Sequence, residues 1–318
     1  MSLKPILVVP GEPNSIFSEI FFKTIKTKKY KSPIVLIASK KLIIAQMKKL
    51  GFKYEINEVD LKLKFENKKN TINLINITFN FKKPFEKITH NSNNYINNCF
   101  SLALKILKDK RTNKFINGPI SKKNFLNKKY LGITELLADK TQTKKYSMLI
   151  YHNELSVSPI TTHLPLKKVV KKINKKIIIQ KINLINDFYK NYINKKPKIA
   201  VIGINPHCET IDSFDEDKNI LTPAIIALKR KGLDIKGPFS SDTMFLKQNR
   251  IKYDVIVGMY HDQVLTPIKT LYEYEAINIT LGLPFIRISP DHGPNEKMAG
   301  KNLSDPTSLI KALEFLDR

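Results

Sequence analysis

Short apolar runs that alternate with longer amphipathic stretches constrain the fold of this chain more than any other feature. An apolar run from Pro5 to Val9 precedes a helical pattern from Ser15 to about Lys28, and the alternation returns with Pro33 to Ala38 and Ser39 to Leu50. This strand-to-helix rhythm is typical of a largely parallel sheet covered by helices. The sequence therefore predicts an α/β fold.

The rest of the chain repeats this rhythm. The sequence predicts further strands at Lys198–Gly203, Asp254–Val257 and Ala276–Leu281, and helices at about Tyr95–Asp109, Lys175–Asn194, Thr222–Lys231 and Ser304–Leu316. The stretch from Asn57 to Asn98 is rich in Lys and Asn, and only Thr71 to Phe81 within it alternates like a strand. We interpret this stretch as a poorly constrained insertion with short strands.

The chain is strongly basic, with 55 Lys and Arg against 28 Asp and Glu among 318 residues, which gives a net charge of +27. Only five of the basic residues are Arg, and the whole excess lies in residues 1–200. Proteins that read phosphates and base edges rely on the Arg fork, so we interpret the Lys excess as surface charge. A non-catalytic nucleic-acid-binding protein is the remote alternative, and the leading interpretation has no nucleic-acid partner.

Several common classes of protein are disfavoured. The glycines form neither a GxGxxG dinucleotide fingerprint nor a phosphate-binding GxxxxGK[ST] loop, and neither GxSxG nor HExxH occurs. The two cysteines are far apart, which argues against a disulfide framework. No apolar run approaches the ~18 residues of a membrane span. We expect a soluble, cytoplasmic protein with no membrane partner.

Four of the six histidines lie in polar segments that directly follow apolar runs. These are His163, His207, His261 and His292. In an α/β sheet, ligands bind beyond the carboxyl ends of the strands, so these segments are candidates for one site. Three neutral imidazoles suit Zn²⁺ or a similar divalent ion. Each histidine alone could equally be part of a capped turn or a core residue.

Further candidates follow in the last third of the chain. Lys269 comes eight residues after His261 and could meet a substrate anion, or could be one of many solvated lysines. Asn278 and Arg287 flank an apolar strand and turn, and Arg is scarce in this chain. An Arg at this place suits bidentate recognition of a phosphate or carboxylate, with a structural salt bridge as the alternative.

Short motifs of distinctive sequence are spread along the chain. They are Tyr260-His-Asp-Gln263 with Lys269, Asn278-Ile-Thr-Leu-Gly-Leu-Pro-Phe-Ile-Arg287, Pro290-Asp-His-Gly293, Pro10-Gly-Glu-Pro13, Asn117-Gly-Pro-Ile-Ser-Lys122, Gly132-Ile-Thr-Glu135, Thr162-His-Leu-Pro165, Gly203-Ile-Asn-Pro-His207 and Gly237-Pro-Phe-Ser-Ser-Asp-Thr243. Together these motifs resemble the 4-hydroxythreonine-4-phosphate dehydrogenase family of pyridoxal phosphate biosynthesis. The similarity spans nearly the whole chain and is weakest over residues 40–100.

The resemblance implies an isocitrate/isopropylmalate-dehydrogenase-like fold of two α/β domains with a cleft between them. Such a fold binds NAD without the glycine fingerprint. The implied division is approximate: residues 1–125 with 222–318 form a cofactor domain, and residues 126–221 form a central dimerisation domain. It also implies a homodimer with the active site at the subunit interface.

The resemblance also implies roles for individual residues. The metal ligands are His163, His207 and His261 of the partner subunit, for one Zn²⁺, Mg²⁺ or Co²⁺ ion. The substrate contacts are Thr134, Lys269, Asn278 and Arg287. The cofactor contacts are Gly11, Asp291, His292 and Gly293, for NAD and possibly NADP. Asp242, Asp262 and Asp291 are candidates to orient ligands or accept a proton.

The implied reaction is metal-assisted, NAD-dependent oxidation of 4-phosphooxy-L-threonine, a small phosphorylated hydroxy-amino acid, followed by loss of carbon dioxide. One departure concerns the substrate. The family usually has Gly-His-Thr-Glu, whereas this chain has Ile133 between Gly132 and Thr134, which removes an imidazole that contacts substrate. A related dehydrogenase that acts on another phosphorylated hydroxy acid or on a cis-diol carboxylate is therefore the second hypothesis.

Overall fold

Contacts within the chain divide it into two compact units. The computed structural model describes residues 3–60, 65, 70–126, 130 and 132–318. Unit 1 consists of residues 1–136 and 284–318, and unit 2 consists of residues 137–283. The first unit is discontinuous, and residues 222–283 group with unit 2. The domain boundaries implied by the resemblance stay a prediction.

The described part of unit 1 contains six parallel strands. They are β1 (Ile6–Val9), β2 (Ile34–Ala38), β3 (Glu55–Glu58), β4 (Thr71–Asn76), β5 (Lys114–Asn117) and β12 (Ile286–Ser289). Their order is β3-β4-β2-β1-β5-β12, and the strands of each neighbouring pair are parallel. The central strand β1 is fully buried, as its unbroken apolar sequence predicts for a strand covered on both faces.

The helices of unit 1 are α1 (Phe17–Thr27), α2 (Lys40–Leu50), α3 (Asn93–Lys108) and α10 (Thr307–Leu316), and α4 (Ile133–Lys140) begins in it. The bounds of α2 follow from its sequence. Ser39 accepts a hydrogen bond from the Leu42 amide and caps the first turn. Gly51 ends the helix in the left-handed conformation, with a φ of +75°.

The strand predicted within Thr71–Phe81 is present as β4, but it does not belong to an insertion. Strand β4 lies between β2 and β3 and pairs with both. Its inner residues are buried, so it is part of the core sheet of unit 1. Residues 61–64 and 66–69 of this stretch lie outside the described residues. The long polar connections around β4 concealed its place in the sheet.

Unit 2 contains the other six strands. They are β6 (Ser147–Tyr151), β7 (Ser156–Pro159), β8 (Lys198–Ile202), β9 (Asp234–Phe239), β10 (Val255–Gly258) and β11 (Ile277–Leu281). Their order is β11-β6-β7-β10-β8-β9. Strands β7, β10, β8 and β9 are parallel, whereas β6 is antiparallel to both of its neighbours. The predicted largely parallel sheet is confirmed.

The helices of unit 2 are α5 (Lys175–Phe188), α6 (Thr222–Arg230), α7 (Ser241–Met244), α8 (Lys247–Arg250) and α9 (His261–Tyr272). The predicted helix from Lys175 to Asn194 is α5 followed by a wider turn, Tyr189–Ile193. Apolar residues on one face of the sheet, including Val157, Ile202 and Ile256, pack with Val264 and Ile268 of α9 in a core cluster of this unit. Among the residues that the structure describes, no helix combines the length and apolar character needed to cross a membrane.

Candidate active site

Three of the predicted histidines follow neighbouring parallel strands of unit 2. Strands β7, β10 and β8 lie side by side in this order. His163, His261 and His207 come within five residues after the respective strand ends. Because parallel strands end at one edge of a sheet, the backbone carries all three histidines at that edge. Their role as metal ligands stays a prediction.

His163 and His261 lie next to each other. Their ring centroids are 5.8 Å apart and their planes are inclined by 40°. The Nδ1 atom of His261 lies 2.8 Å from Oδ1 of Asp262. Because a carboxylate only accepts hydrogen bonds, Nδ1 donates and the lone pair is left on Nε2, as metal binding through Nε2 requires.

His207 has an equivalent arrangement that passes through a hydroxyl group. The Ser240 Oγ atom lies 3.3 Å from Nδ1 of His207 and donates to Oδ1 of Asp242 at 2.5 Å. Ser240 has one hydroxyl hydrogen, so Nδ1 of His207 is the donor to Ser240 and Nε2 keeps its lone pair. The hydrogen bond from Ser240 is the main cause that lowers the pKa of Asp242. An ionised Asp242 thus orients His207 through Ser240.

The donor set fits a divalent cation. Both His261 and His207 have an Nδ1 atom held by a carboxylate, directly or through Ser240, which leaves Nε2 for a ligand. Within residues 3–60, 65, 70–126, 130 and 132–318, however, no three His, Cys, Asp or Glu side chains lie close enough together to hold an ion.

Lys269 and Asn278 also belong to unit 2. Lys269 is half-buried near the end of α9, about two turns after His261. Asn278 lies on β11, and its Oδ1 atom is buried without a hydrogen-bond donor among the described residues. Because an unsatisfied buried amide oxygen is costly, it marks a place for a ligand with an N–H or O–H group. The position of Asn278 therefore fits its predicted contact with substrate.

Arg287 and Thr134 meet in unit 1. Arg287 lies on β12 and is completely buried, and its Nη1 atom donates to Oγ1 of Thr134 at 3.4 Å. Its Nε atom donates to Oδ1 of Asn117 at 2.7 Å, at the end of β5. Sequence reasoning did not single out Asn117 as a partner of Arg287, although its motif was recognised. Arg287 and Thr134, two of the residues predicted to bind substrate, thus contact each other. Their binding of a substrate stays a prediction.

Burial strongly affects the charge of Arg287. Loss of solvation lowers the pKa of its guanidinium to about 9, and the negative charge of Glu135 opposes this shift. Arg287 therefore remains protonated at neutral pH. A buried cation with neutral acceptors at two of its nitrogens is costly, and such a charge is typical of a group that recognises an anion.

Gly11 lies directly after β1, where two stretches of backbone meet. Its φ is +76°, and a Cβ atom there would lie 2.2 Å from the carbonyl oxygen of Pro119. The next residue, Glu12, donates its N–H to the same oxygen at 2.8 Å. Both the backbone conformation and the close packing therefore require glycine. Its predicted contact with the cofactor stays a prediction.

The other predicted cofactor residues follow β12. The N–H of Asp291 donates to Oγ of Ser308 at 2.8 Å and fastens this turn to α10. The His292 ring lies 6.4 Å from that of Phe17, the first residue of α1. A Cβ atom on Gly293 would contact nothing within 4 Å. This turn therefore lies beside the start of α1, where helix N–H groups favour anions such as cofactor phosphates.

Glu12 is a buried acid that sequence reasoning did not select, although it lies in the recognised motif Pro10-Gly-Glu-Pro13. It is 1% exposed. Its Oε2 atom accepts a hydrogen bond from Ser92 at 3.1 Å, and Oε1 accepts one from the Asn14 amide at 3.4 Å. Burial raises its pKa to about 7 despite these bonds. Glu12 therefore changes its charge near neutral pH.

Comparison with known sequences gives a consistent set of relatives. The sequence model of the family described as "Pyridoxal phosphate biosynthetic protein PdxA" matches residues 29–316. The 4-hydroxythreonine-4-phosphate dehydrogenase of Sulfurihydrogenibium sp. is 38% identical over 98% of this chain and 96% of the relative. The D-threonate 4-phosphate dehydrogenase of Salmonella typhimurium is 32% identical over 99% of this chain and 98% of the relative.

Solved structures show the same relationship. The crystal structure of 4-hydroxythreonine-4-phosphate dehydrogenase from Klebsiella pneumoniae has a TM-score of 0.87 and 30% identity, and the match covers 99% of this chain and 97% of that one. Isocitrate dehydrogenase from Methylococcus capsulatus has a TM-score of 0.51 at 11% identity, over 98% of this chain and 84% of that one, which is a likeness of fold alone. The expected isocitrate-dehydrogenase-like fold class is confirmed.

Proposed function

Because the chain belongs to the family of pyridoxal phosphate biosynthetic proteins PdxA and is an oxidoreductase, we propose that it oxidises 4-phosphooxy-L-threonine with NAD or NADP and one divalent metal ion. The oxidation product, 2-amino-3-oxo-4-phosphooxybutanoate, is a β-keto acid that loses carbon dioxide to give 3-amino-2-oxopropyl phosphate. The observation that carries this proposal is the placement of His163, His207 and His261 after neighbouring parallel strands, at one edge of the sheet.

The metal site of the proposal consists of His163, His207 and His261 of the partner subunit, in a homodimer. When bound, the cation would stabilise negative charge on the substrate oxygens, and the nicotinamide would accept the hydride. The chain's own carboxylates fix the imidazoles. Asp262 holds Nδ1 of His261, and Asp242 acts on His207 through Ser240.

The substrate is held by one neutral amide and two cations. Arg287 and Lys269 are opposite in charge to the phosphate and carboxylate of the substrate, and the unsatisfied Oδ1 atom of Asn278 can accept a hydrogen bond from its amine or hydroxyl. Thr134 receives a hydrogen bond from Arg287 and thus fixes the guanidinium. Asp291 is a candidate to accept the proton that leaves the hydroxyl group.

The cofactor part of the proposal rests on the loops around α1. Gly11 and the turn Asp291-His292-Gly293 lie near the amino end of this helix. Because the N–H groups at the start of a helix carry partial positive charge, this region suits the pyrophosphate of NAD or NADP. The residues do not distinguish between the two cofactors.

A second substrate, D-threonate 4-phosphate, is favoured by one specific observation. The chain matches a dehydrogenase of that compound over nearly its full length. D-Threonate has a hydroxyl group where threonine has an amine, so the two substrates demand different partners around that atom. Ile133, at the start of α4 beside Thr134, cannot form the hydrogen bond that the imidazole of the family pattern provides.

The function is tested by NADH formation. Metal-stripped protein is assayed with NAD and each substrate in turn, with Zn²⁺, Mg²⁺ or Co²⁺ added. We expect metal-dependent turnover of 4-phosphooxy-L-threonine. Turnover of D-threonate 4-phosphate alone would select the second substrate, and no turnover with any metal would contradict both.

Two variants sharpen this assay. His163→Gln should abolish metal-dependent turnover, whereas His90→Gln, which changes an exposed histidine in a short turn of unit 1, should not. Ile133→His should raise the activity on 4-phosphooxy-L-threonine relative to D-threonate 4-phosphate if position 133 faces the substrate.

A further inference from the structure

The backbone at His207 has an unfavourable conformation. His207 and Cys208 have φ angles of 55° and 62°, which is the left-handed region, and neither residue is Gly, Asn or Asp. Two such residues in succession persist only where the surrounding structure holds them. The contacts that hold this segment therefore decide where the His207 ring is presented.

A buried carboxylate holds the segment from one side. Asp217 is 1% exposed. Its Oδ1 atom accepts a hydrogen bond from the Ile204 amide at 2.9 Å, and its Oδ2 atom accepts one from the Asn205 amide at 3.0 Å. Both amides lie between the end of β8 and His207. The carboxylate thus binds consecutive N–H groups of the loop that leads to the histidine.

Asp217 is itself firmly placed. It begins the turn Asp217–Leu221, which runs directly into α6, and its carbonyl oxygen accepts a hydrogen bond from Thr222 Oγ1 at 2.9 Å. A Cβ atom on Gly203 would lie 2.9 Å from Oδ1 of Asp217 and 2.6 Å from Sγ of Cys208. Asp217 and Cys208 therefore pack against the same point of the loop, and glycine is needed for this close approach.

The carbonyl side of the same loop is held by Gln263. Its Nε2 atom donates to the Gly203 carbonyl at 2.7 Å, and its Oε1 atom accepts from the Met259 amide at 2.7 Å. Gln263 lies on the first turn of α9, which begins at His261. Asp217 and Gln263 together fix the end of β8 relative to the start of α9.

We propose that Asp217 is a positioning residue that holds the Gly203–His207 backbone, so that His207 is presented as a metal ligand. Asp217 does not touch metal, cofactor or substrate in this role, and it acts through the two amides that it binds. The functional consequence rests on the proposed metal site. The expected effect of breaking these bonds is a lower metal affinity, because partners that orient a ligand typically change the affinity by about 10- to 100-fold.

The test uses Asp217→Asn in the full-length protein. Asparagine has nearly the same shape, but its NH₂ group cannot accept from a backbone amide, so one of the two hydrogen bonds is lost. Binding of Co²⁺ to the metal-stripped protein is measured by visible absorption. We expect affinity about 10- to 100-fold weaker than in the wild type. Asp212→Asn, which changes an exposed aspartate of the same region, is the matched control and should bind Co²⁺ normally.

A rescue experiment separates positioning from direct ligation. Saturating Co²⁺ should restore most of the kcat of Asp217→Asn, whereas His207→Ala should not recover. If Asp217→Asn proves too unstable to study, Asp217→Glu keeps both acceptor oxygens at a changed reach and should give an intermediate loss of Co²⁺ affinity.

The outcomes separate this inference from the proposed function. Wild-type affinity for Co²⁺ in both Asp217→Asn and Asp217→Glu would overturn the role of Asp217 alone. A wild-type protein that binds no Co²⁺ would overturn the proposed metal site, and with it the role of Asp217 in presenting a ligand.

Discussion

Replacement of the buried Arg287 by methionine should leave the protein nearly as stable as before but remove most of its activity. Burial lowers the pKa of Arg287 from the ordinary value of a guanidinium to about 9. At about 1.4 kcal/mol per pKa unit, the buried charge costs roughly 5 kcal/mol of stability at neutral pH. This cost to stability is fully present below about pH 9. It decreases as the pH rises above about 9, because there the unfolded chain binds more protons than the folded chain.

Two hydrogen bonds offset this cost. Those to Asn117 and Thr134 are charge-assisted, and such bonds contribute about 1.5 to 3 kcal/mol each. Methionine removes the charge and both bonds while it fills much of the same space. The opposing changes are similar in size, so the free energy of unfolding should change by less than about 2 kcal/mol. Arg287→Ala should lose about 2 to 5 kcal/mol more, because it leaves a cavity.

Urea unfolding and NADH kinetics check this prediction together. Loss of a charge-assisted contact with the substrate phosphate, worth about 3 kcal/mol, should lower kcat/KM of Arg287→Met about 100-fold. A Met variant with unchanged kcat/KM would refute the role of Arg287 in anion recognition. A Met variant that is destabilised as much as Arg287→Ala would refute the stability argument and make Arg287 a structural residue.

Further predictions concern the buried acid, the subunit interface and the surface charge. Burial raises the pKa of Glu12 from 4.5 to about 7, so the free energy of unfolding should fall as the pH rises from 4.5 to 7. Glu12→Gln should remove this pH dependence in urea unfolding. An unchanged pH profile in the variant would count against a buried, titrating Glu12. If the metal site is shared between subunits, mixing the inactive variants His207→Ala and His261→Ala should restore about a quarter of wild-type activity. The reason is that half of the dimers then contain one subunit of each variant, and each such dimer has one intact site of two. Complete inactivity of the mixture would point to sites within one chain. Replacing the exposed Lys48 and Lys49 by Gln should leave NADH turnover unchanged; a large loss of turnover would show that the surface charge takes part in catalysis.

The sequence predicted the regular parts of the fold well, for a physical reason. The strand starting at Pro5 was predicted to within one residue, because an uninterrupted apolar run is what a strand buried on both faces requires. The place of strand β4 in the sheet was not predicted, because its pairing with β2 and β3 is a long-range contact. Local sequence patterns do not contain such pairings, and the polar connections on either side of β4 resemble those of an insertion.

The candidate site was predictable where single residues have distinctive chemistry. The scarce histidines at strand ends and the scarce Arg287 stood out from their surroundings. Glu12, Asp217 and Ser240 did not, because their importance comes from burial or from hydrogen bonds to residues distant in sequence. Any exposed Asp, Glu or Ser has the same local sequence signal.

Binding of metal by the stripped protein, measured alongside turnover, tests the central claim most directly. Stripped wild-type protein is titrated with Co²⁺, and each sample is assayed with 4-phosphooxy-L-threonine and NAD. We predict that one ion binds per site, that NADH formation rises in proportion to occupancy, and that His163→Gln and His261→Gln abolish both. Turnover that is independent of metal, or that persists in both histidine variants, would contradict the account.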